Sequence, residues 1–178
     1  MKYISKLLFL MLVLGASAVF ADTDDDSDTS NLKKGPEVQA TTDLAQDARL
    51  AQKKRLPILL MFSATHCTYC ELLENEILKP MLLSGDYTDK VIIRKVVIDE
   101  ESSLKDFNGK KIETDDFVLR YNVIVTPTMV FIDQNGKELT KRMIGINTID
   151  YFGGDVDNAI ERSLKKLKND QNSLTAKK

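Results

Sequence analysis

The sequence predicts an α/β fold in which one mixed β-sheet of about four strands carries helices on both faces. Three observations lead there. Hydrophobic patterning gives the element order α-β-α-β-α-β-β-α, a βαβ half followed by a ββα half. Ile58-Leu59-Leu60-Met61-Phe62 is a continuous apolar run, as in a strand covered on both faces. Asn135-Gly136 stands between two β-type runs, where a tight hairpin turn requires positive φ.

Taken in order, Thr42 or Asp43 caps a first helix that aligns Leu44, Ala48 and Ala51. Pro57 closes the linker behind it, and the strand from Ile58 follows. A helical stretch then places Cys70, Leu73 and Ile77 on one face, with Glu71, Glu74 and Glu76 in other positions; Pro80 bends or ends it. Val91 to Ile98 is a second strand, rich in β-branched residues. The polar stretch from Asp99 to Lys111 reads as a loop. Thr114 caps a short helix carrying Phe117, Val118 and Tyr121, with acids in its first turn and Arg120 in its last. Thr128 to Ile132 is a third strand, and Glu138 to Ile144 returns beside it. Gly145 ends that strand. Asp155 caps a last helix with Val156, Ile160, Leu164 and Leu167 on one face and lysines crowding its end.

Residues 1–21 have the pattern of a cleavable export signal: Lys2 and Lys6, an apolar core from Leu7 to Leu14, and Val19-Phe20-Ala21 as the cleavage site, with Ala16-Ser17-Ala18 as a second candidate. The apolar stretch falls short of the roughly 20 residues a membrane span prefers. Residues 22–41 read as a disordered acidic linker, dominated by Asp22, Asp24, Asp25, Asp26 and Asp28. Residues 42–168 form the domain, and residues 169–178 a flexible polar tail. The leader holds two of the 25 basic residues and none of the 27 acidic ones, so the mature chain carries a net charge of about −4. That balance, with no tryptophan and no basic stripe interleaved with aromatics, argues against a nucleic-acid binder. No membrane span is expected after the leader is removed.

The chain has two cysteines, as Cys67-Thr68-Tyr69-Cys70. At i and i+3 of a helix start they can close a small disulfide ring or stand open as a dithiol. Two cysteines and one histidine fall short of a zinc site. Haem attachment needs a histidine after the second cysteine, where Glu71 stands. A purely structural disulfide remains open in an exported protein. No cofactor is expected.

A strand ending just before Cys67-x-x-Cys70, then Tyr121-Asn122-Val123-Ile124-Val125-Thr126-Pro127-Thr128, then a strand, a hairpin and a glycine before a last helix, resembles the thioredoxin fold. The resemblance covers Thr42 to Leu167. It implies a cis bond at Thr126-Pro127, directly opposite the cysteines. Among subfamilies the chain is most similar to exported, SoxW-like thioredoxin-related proteins, which share the signal peptide, an extra N-terminal helix and a long loop before the cis-proline segment. There are departures. His66 precedes the first cysteine where thioredoxins carry tryptophan, and the dipeptide is Thr68-Tyr69. Met61 stands on the strand where thioredoxins bury an acid that helps deprotonate the second cysteine.

The resemblance implies a periplasmic thiol–disulfide oxidoreductase acting on exported proteins or peptides with disulfides, more readily as a reductant fed by a membrane thiol–disulfide transporter. A disulfide-forming oxidase or isomerase, and a non-enzymatic module that binds extended polypeptides, are the alternatives. Cys67 at a helix N-terminus, near free N–H groups, is the nucleophile. Cys70, one turn in and shielded, is the resolving thiol. His66 stabilises the Cys67 thiolate through its imidazolium. Thr126 and Pro127 hold the partner's backbone, and Tyr69 shapes the partner-facing surface. Glu71 and Glu74 either assist proton transfer or form a solvated helix face.

Overall fold

The structure is a computed structural model, and it describes residues 35–175. The leader and the acidic run of the linker lie outside the described residues. Helix α1 (Leu44–Lys54) leads into strand β1 (Ile58–Ser63), helix α2 (Thr68–Leu73), a π-helical turn (Glu74–Leu78) and helix α3 (Lys79–Ser84). Strand β2 (Ile92–Val97), the short strands β3 (Ser103–Lys105) and β4 (Lys111–Glu113), helix α4 (Thr114–Arg120), strands β5 (Thr128–Ile132) and β6 (Met143–Ile144) and helix α5 (Ile149–Thr175) follow. The main sheet runs β2-β1-β5-β6, with β1 parallel to β2 and antiparallel to β5. This is the mixed four-stranded sheet expected, with the extra N-terminal helix in place.

Alternation along β1 divides the core. Leu59 and Met61 face one cluster, with Cys70, Leu73, Leu78, Phe131 and Val156. Ile58, Leu60 and Phe62 face the other, with Leu44, Val96, Phe117 and Tyr121. Every residue of β1 is therefore buried. A strand that buries both faces has no solvent side to hold polar residues, which is why the run is apolar from Ile58 to Phe62, with only Ser63 at its end polar. Each such side chain contributes roughly 1.5–3 kcal/mol on burial.

Strand β2 follows the same alternation with charges. Arg94 pairs in register with Leu60, and its Nε donates to Asp47 of α1 at 2.7 Å. Lys95 pairs with Met61, and its Nζ meets both oxygens of Glu74 at 2.9 Å on the opposite face. Two neighbouring cations thus point to opposite sides of the sheet, each met by a carboxylate from the helix covering that side. Glu74 is buried and so does not lie on a solvated helix face, one of the two readings its sequence position left open.

Several elements differ from expectation. The helix does not stop at Pro80 but runs to Ser84, where Gly85 (φ 75°) closes it in the left-handed region. The π-turn ahead of Pro80 widens the helix where the missing proline N–H and the ring would disturb an α-helical ladder. The polar stretch after β2 is not all loop: β3 and β4 pair as a two-stranded sheet. Thr114 starts α4 without capping it, its hydroxyl donating instead to Ser102 O at 2.9 Å. The returning strand is short, because only Met143 and Ile144 pair with β5 beyond a bridge at Glu138. Between them Arg142 turns back onto Glu138 and the carbonyl of Tyr121. Helix α5 starts at Ile149, ahead of Asp155, and continues through Lys168 to Thr175. Residues 38–41, placed in the linker by composition, extend the edge of β2: Lys95 N donates to Gln39 O and Thr41 N to Lys95 O, both at 2.9 Å, and Val38 is buried.

Phe62, Phe117 and Tyr121 form an aromatic cluster with centroids 5.1–6.0 Å apart. Tyr121 Oη donates to Gly136 O at 2.8 Å, tying the cluster to the β5–β6 turn. A Cβ on Gly136 (φ 80°) would stand 2.6 Å from Phe107 and 2.8 Å from Tyr121 Oη. Glycine is required there by both conformation and space.

Phe117→Ala should destabilise the domain by about 3–5 kcal/mol in denaturant unfolding, since it empties the centre of this cluster. Asp106 supplies a pH term. Arg120, followed by the N–H groups of Lys110 and Asn108, holds its carboxyl below the ordinary value of 3.8. Its stabilising contribution is complete above that value and is lost as pH falls through the lower folded value. Asp106→Asn should therefore lower stability at neutral pH and flatten the acid limb of the stability profile.

Candidate active site

Strands β1 and β5 bring the two halves of the site together. They pair Phe62 with Thr128, so the segment leaving β1 and the segment entering β5 meet at one end of the sheet. The first carries Ser63 to Cys70 and the second Val125 to Pro127. Cys67 and Pro127, 60 positions apart in the chain, become neighbours.

Cys67 is the N-cap of α2, with extended φ and ψ, and Cys70 lies in the first turn. The two are joined as a disulfide with Cα atoms 5.2 Å apart. The Cys70 N–H donates to Cys67 Sγ at 3.2 Å. The sulfur therefore sits where a helix offers unpaired N–H groups and the positive end of its dipole. Cys67 is partly exposed, whereas Cys70 is 2 % exposed among Met61, Leu73 and Leu78. This asymmetry makes Cys67 the reachable sulfur.

The Thr126–Pro127 bond is cis, and Thr126 Oγ1 stands 3.5 Å from Cys67 Sγ. Pro127 is buried, and its carbonyl accepts from Gly145 N at 2.8 Å, which docks the start of the last loop beside the site. Thr128 Oγ1 donates to Val125 O at 2.7 Å and braces the turn from within.

His66 is exposed and left-handed (φ 55°), a conformation histidine tolerates better than most non-glycine residues. The turn is fixed from just past the end of β2: Thr65 N and Oγ1 both donate to Asp99, at 2.9 and 2.5 Å. Those bonds, the hydroxyl first, hold the Asp99 carboxyl below the usual carboxylate range, and the charge of His66 adds a smaller pull. Tyr69 is 63 % exposed at the redox loop.

The structure thus brings together all six residues singled out from sequence. Reading the sequence missed two contributors. Asp99, assigned to a polar loop, anchors the redox turn; its only sequence signal is its position just past the end of a strand. Ile124 and Val125 are exposed beside the cis-proline, at 82 % and 48 %, as is Ile144 next to Gly145. With Tyr69 they make an apolar rim. Their signal was an apolar run leading into Pro127 with no helical or strand period to bury it.

No curated protein sequence matches the chain. A DsbH oxidoreductase structure is 20 % identical over 74 % of this chain and 93 % of its own, with a TM-score of 0.51. The thioredoxin Mala s 13 from Malassezia sympodialis is 20 % identical over 74 % and 93 %, with a TM-score of 0.48. Thioredoxin from Fasciola hepatica is 22 % identical over 71 % and 99 %, with a TM-score of 0.46. At such identities the first of these speaks for the fold alone. A Cys-x-x-Cys pair in this setting is that of a thiol–disulfide oxidoreductase. The family model described as thioredoxin-like domain matches residues 44–156, from α1 through the start of α5, and the chain belongs to that family.

Proposed function

We propose that this oxidoreductase works in the periplasm, exchanging disulfides with exported proteins through Cys67 and Cys70, and that it acts there as a reductant of the SoxW-like kind. The observation that carries the exchange reading is the placement of a partly exposed Cys67 at a helix N-terminus, its sulfur 3.5 Å from the hydroxyl of the residue before a cis-proline. The leader pattern of residues 1–21 supports export, and among the described residues no helix is long and apolar enough to cross a membrane.

The steps follow from the two sulfurs. The Cys67 thiolate attacks one sulfur of a partner disulfide, and the other partner sulfur leaves as thiolate and takes a proton from water. Cys70 loses its proton and attacks Cys67 Sγ. The bond to the partner breaks, the second partner thiol is released, and the Cys67–Cys70 disulfide remains. The partner gains two electrons and the dithiol loses them. A membrane thiol–disulfide transporter would return the dithiol. The extended backbone of the partner would lie against Thr126, just outside the ladder of β5 and β6, with the apolar rim of Tyr69, Ile124, Val125 and Ile144 against its side chains.

Cys70→Ala should trap mixed disulfides with exported proteins, and Cys67→Ala should trap none, as read on non-reducing gels after acid quenching. The reverse pattern would exchange the two roles. His66 beside Cys67 favours the thiolate and hence the dithiol, so the reduction potential should lie above the roughly −270 mV of a thioredoxin. His66→Asn keeps a side chain that tolerates the left-handed turn while removing the imidazole. It should make the potential more negative in glutathione equilibration. An unchanged potential would remove His66 from the redox machinery.

A further inference from the structure

The ion pair of buried Glu74 and half-buried Lys95 has no part in the steps above, yet it lies one helical turn beyond the second cysteine. Cys70 and Glu74 are one turn apart on the same helix, with the Glu74 N–H donating to Cys70 O. Both are buried. Lys95 reaches Glu74 from β2, and the register partner of Lys95 is Met61, which packs in the same cluster as Cys70. The carboxylate, the ammonium and the thiol therefore share one face of the sheet. The equivalent pair on the other face, Asp47 and Arg94, also holds the Thr41 hydroxyl and joins α1 to the sheet. Glu74 does something different. Its two oxygens accept from one ammonium, and a carboxylate offers about four acceptor positions, so Lys95 does not exhaust them. Glu74 also opens the π-turn, a local widening that recurs at functional sites.

We infer that Glu74 is the base that takes the proton from the Cys70 thiol, directly or across one water, when Cys70 resolves a mixed disulfide on Cys67. The inference rests on the exchange reading above. Lys95 faces both carboxylate oxygens at 2.9 Å and holds them in place behind the helix. The proton moves from Cys70 Sγ to a Glu74 oxygen, the new S–S bond forms between Cys70 and Cys67, and the partner leaves as thiolate. The charges that bear on this exchange are Lys95 from β2, His66 from the redox turn and the exposed Glu71 from the helix. Strands β1 and β5 and helix α5 present Met61, Met129 and Val156 to the cluster. The sequence places methionine on β1 where a carboxylate would meet Lys95 from the strand. Here the carboxylate meets the same lysine from the helix.

Moving the carboxylate tests this. The reduced protein is mixed with Ellman's disulfide. The first thionitrobenzoate released reports formation of the mixed disulfide on Cys67, and the second reports attack by Cys70. The second phase is followed by stopped flow from about pH 5.5 to 9, spanning the ordinary thiol value of about 8.5. In the unsubstituted protein its rate should be nearly level from about pH 6.5 upward. In Glu74→Gln it should fall roughly 30-fold at neutral pH and recover as pH rises, because a thiol of ordinary pKa, about 8.5, is only about 3 % ionised at pH 7 without a base to take its proton. In Met61→Asp/Glu74→Gln the carboxylate returns to Lys95 from the strand, and the level profile should return with it. Three results would overturn the inference: a Glu74→Gln profile like that of the parent, an equal slowing at every pH that Met61→Asp does not relieve, or a parent rate that climbs about tenfold per pH unit throughout. The last needs no variant to fold. Failure of the first phase would instead remove the exchange reading, and this inference with it.

Discussion

Strand β1 is the constraint on which the rest depends. It lies between β2 and β5, buries every side chain, and ends just ahead of the cysteines. Because both faces are covered, its register cannot slip by one residue without exchanging two entire sets of apolar side chains between two helical layers. That rigidity is passed on at both borders. The pairing of Phe62 with Thr128 fixes how far Pro127 stands from the cysteine turn, and the pairing of Met61 with Lys95 fixes which cation faces the helix behind Cys70. A site assembled from two segments 60 positions apart needs such a reference, since an ångström of error between sulfur and partner would undo in-line exchange.

The charges on β2 show how the same alternation serves two purposes. Buried ion pairs are weak contributors to stability in general, because desolvation offsets most of the attraction. On the α1 side, Asp47 satisfies Arg94 and Thr41 together, which locks the N-terminal segment along the sheet edge. On the α2 side, Lys95 holds a carboxylate that has acceptor capacity to spare. Removing either partner of such a pair strands the other, so both carboxylates are costly to lose, but only one of them lies in the layer that contains a thiol.

What could be read from the sequence is what depends on local pattern. The β1 run, the first helix with its Asp43 cap, the Asn135-Gly136 turn and the cysteine pair all declare themselves within a few residues. The cis bond at Thr126-Pro127 came from the resemblance, since nothing local distinguishes it from another X-Pro bond. The features missed are those that tertiary contacts decide. Pro80 stays inside a helix because a π-turn precedes it. Residues 38–41 join the sheet because Lys95 offers its backbone edge, though their composition reads as linker. Glu74 matches a solvated position by type and is buried only because Lys95 reaches it. Asp99 looks like any loop acid until Thr65 is folded against it.

The electrostatics around Cys67 set contributions of opposite sign against one another. The Asp99 carboxylate, kept ionised by Thr65, places a negative charge beside the redox turn and opposes a thiolate. It is solvent-facing, so solvent and salt screen its effect on the sulfur. The favourable side is closer. The Cys70 N–H is bonded to the sulfur at 3.2 Å, the Thr126 hydroxyl lies 3.5 Å away, and the helix terminus adds up to about 2 kcal/mol in partly buried geometry. Distance and burial both favour the thiolate, and Asp99 acts mainly through geometry. By holding Thr65 it keeps His66 in the left-handed turn that aims Cys67 at the head of α2.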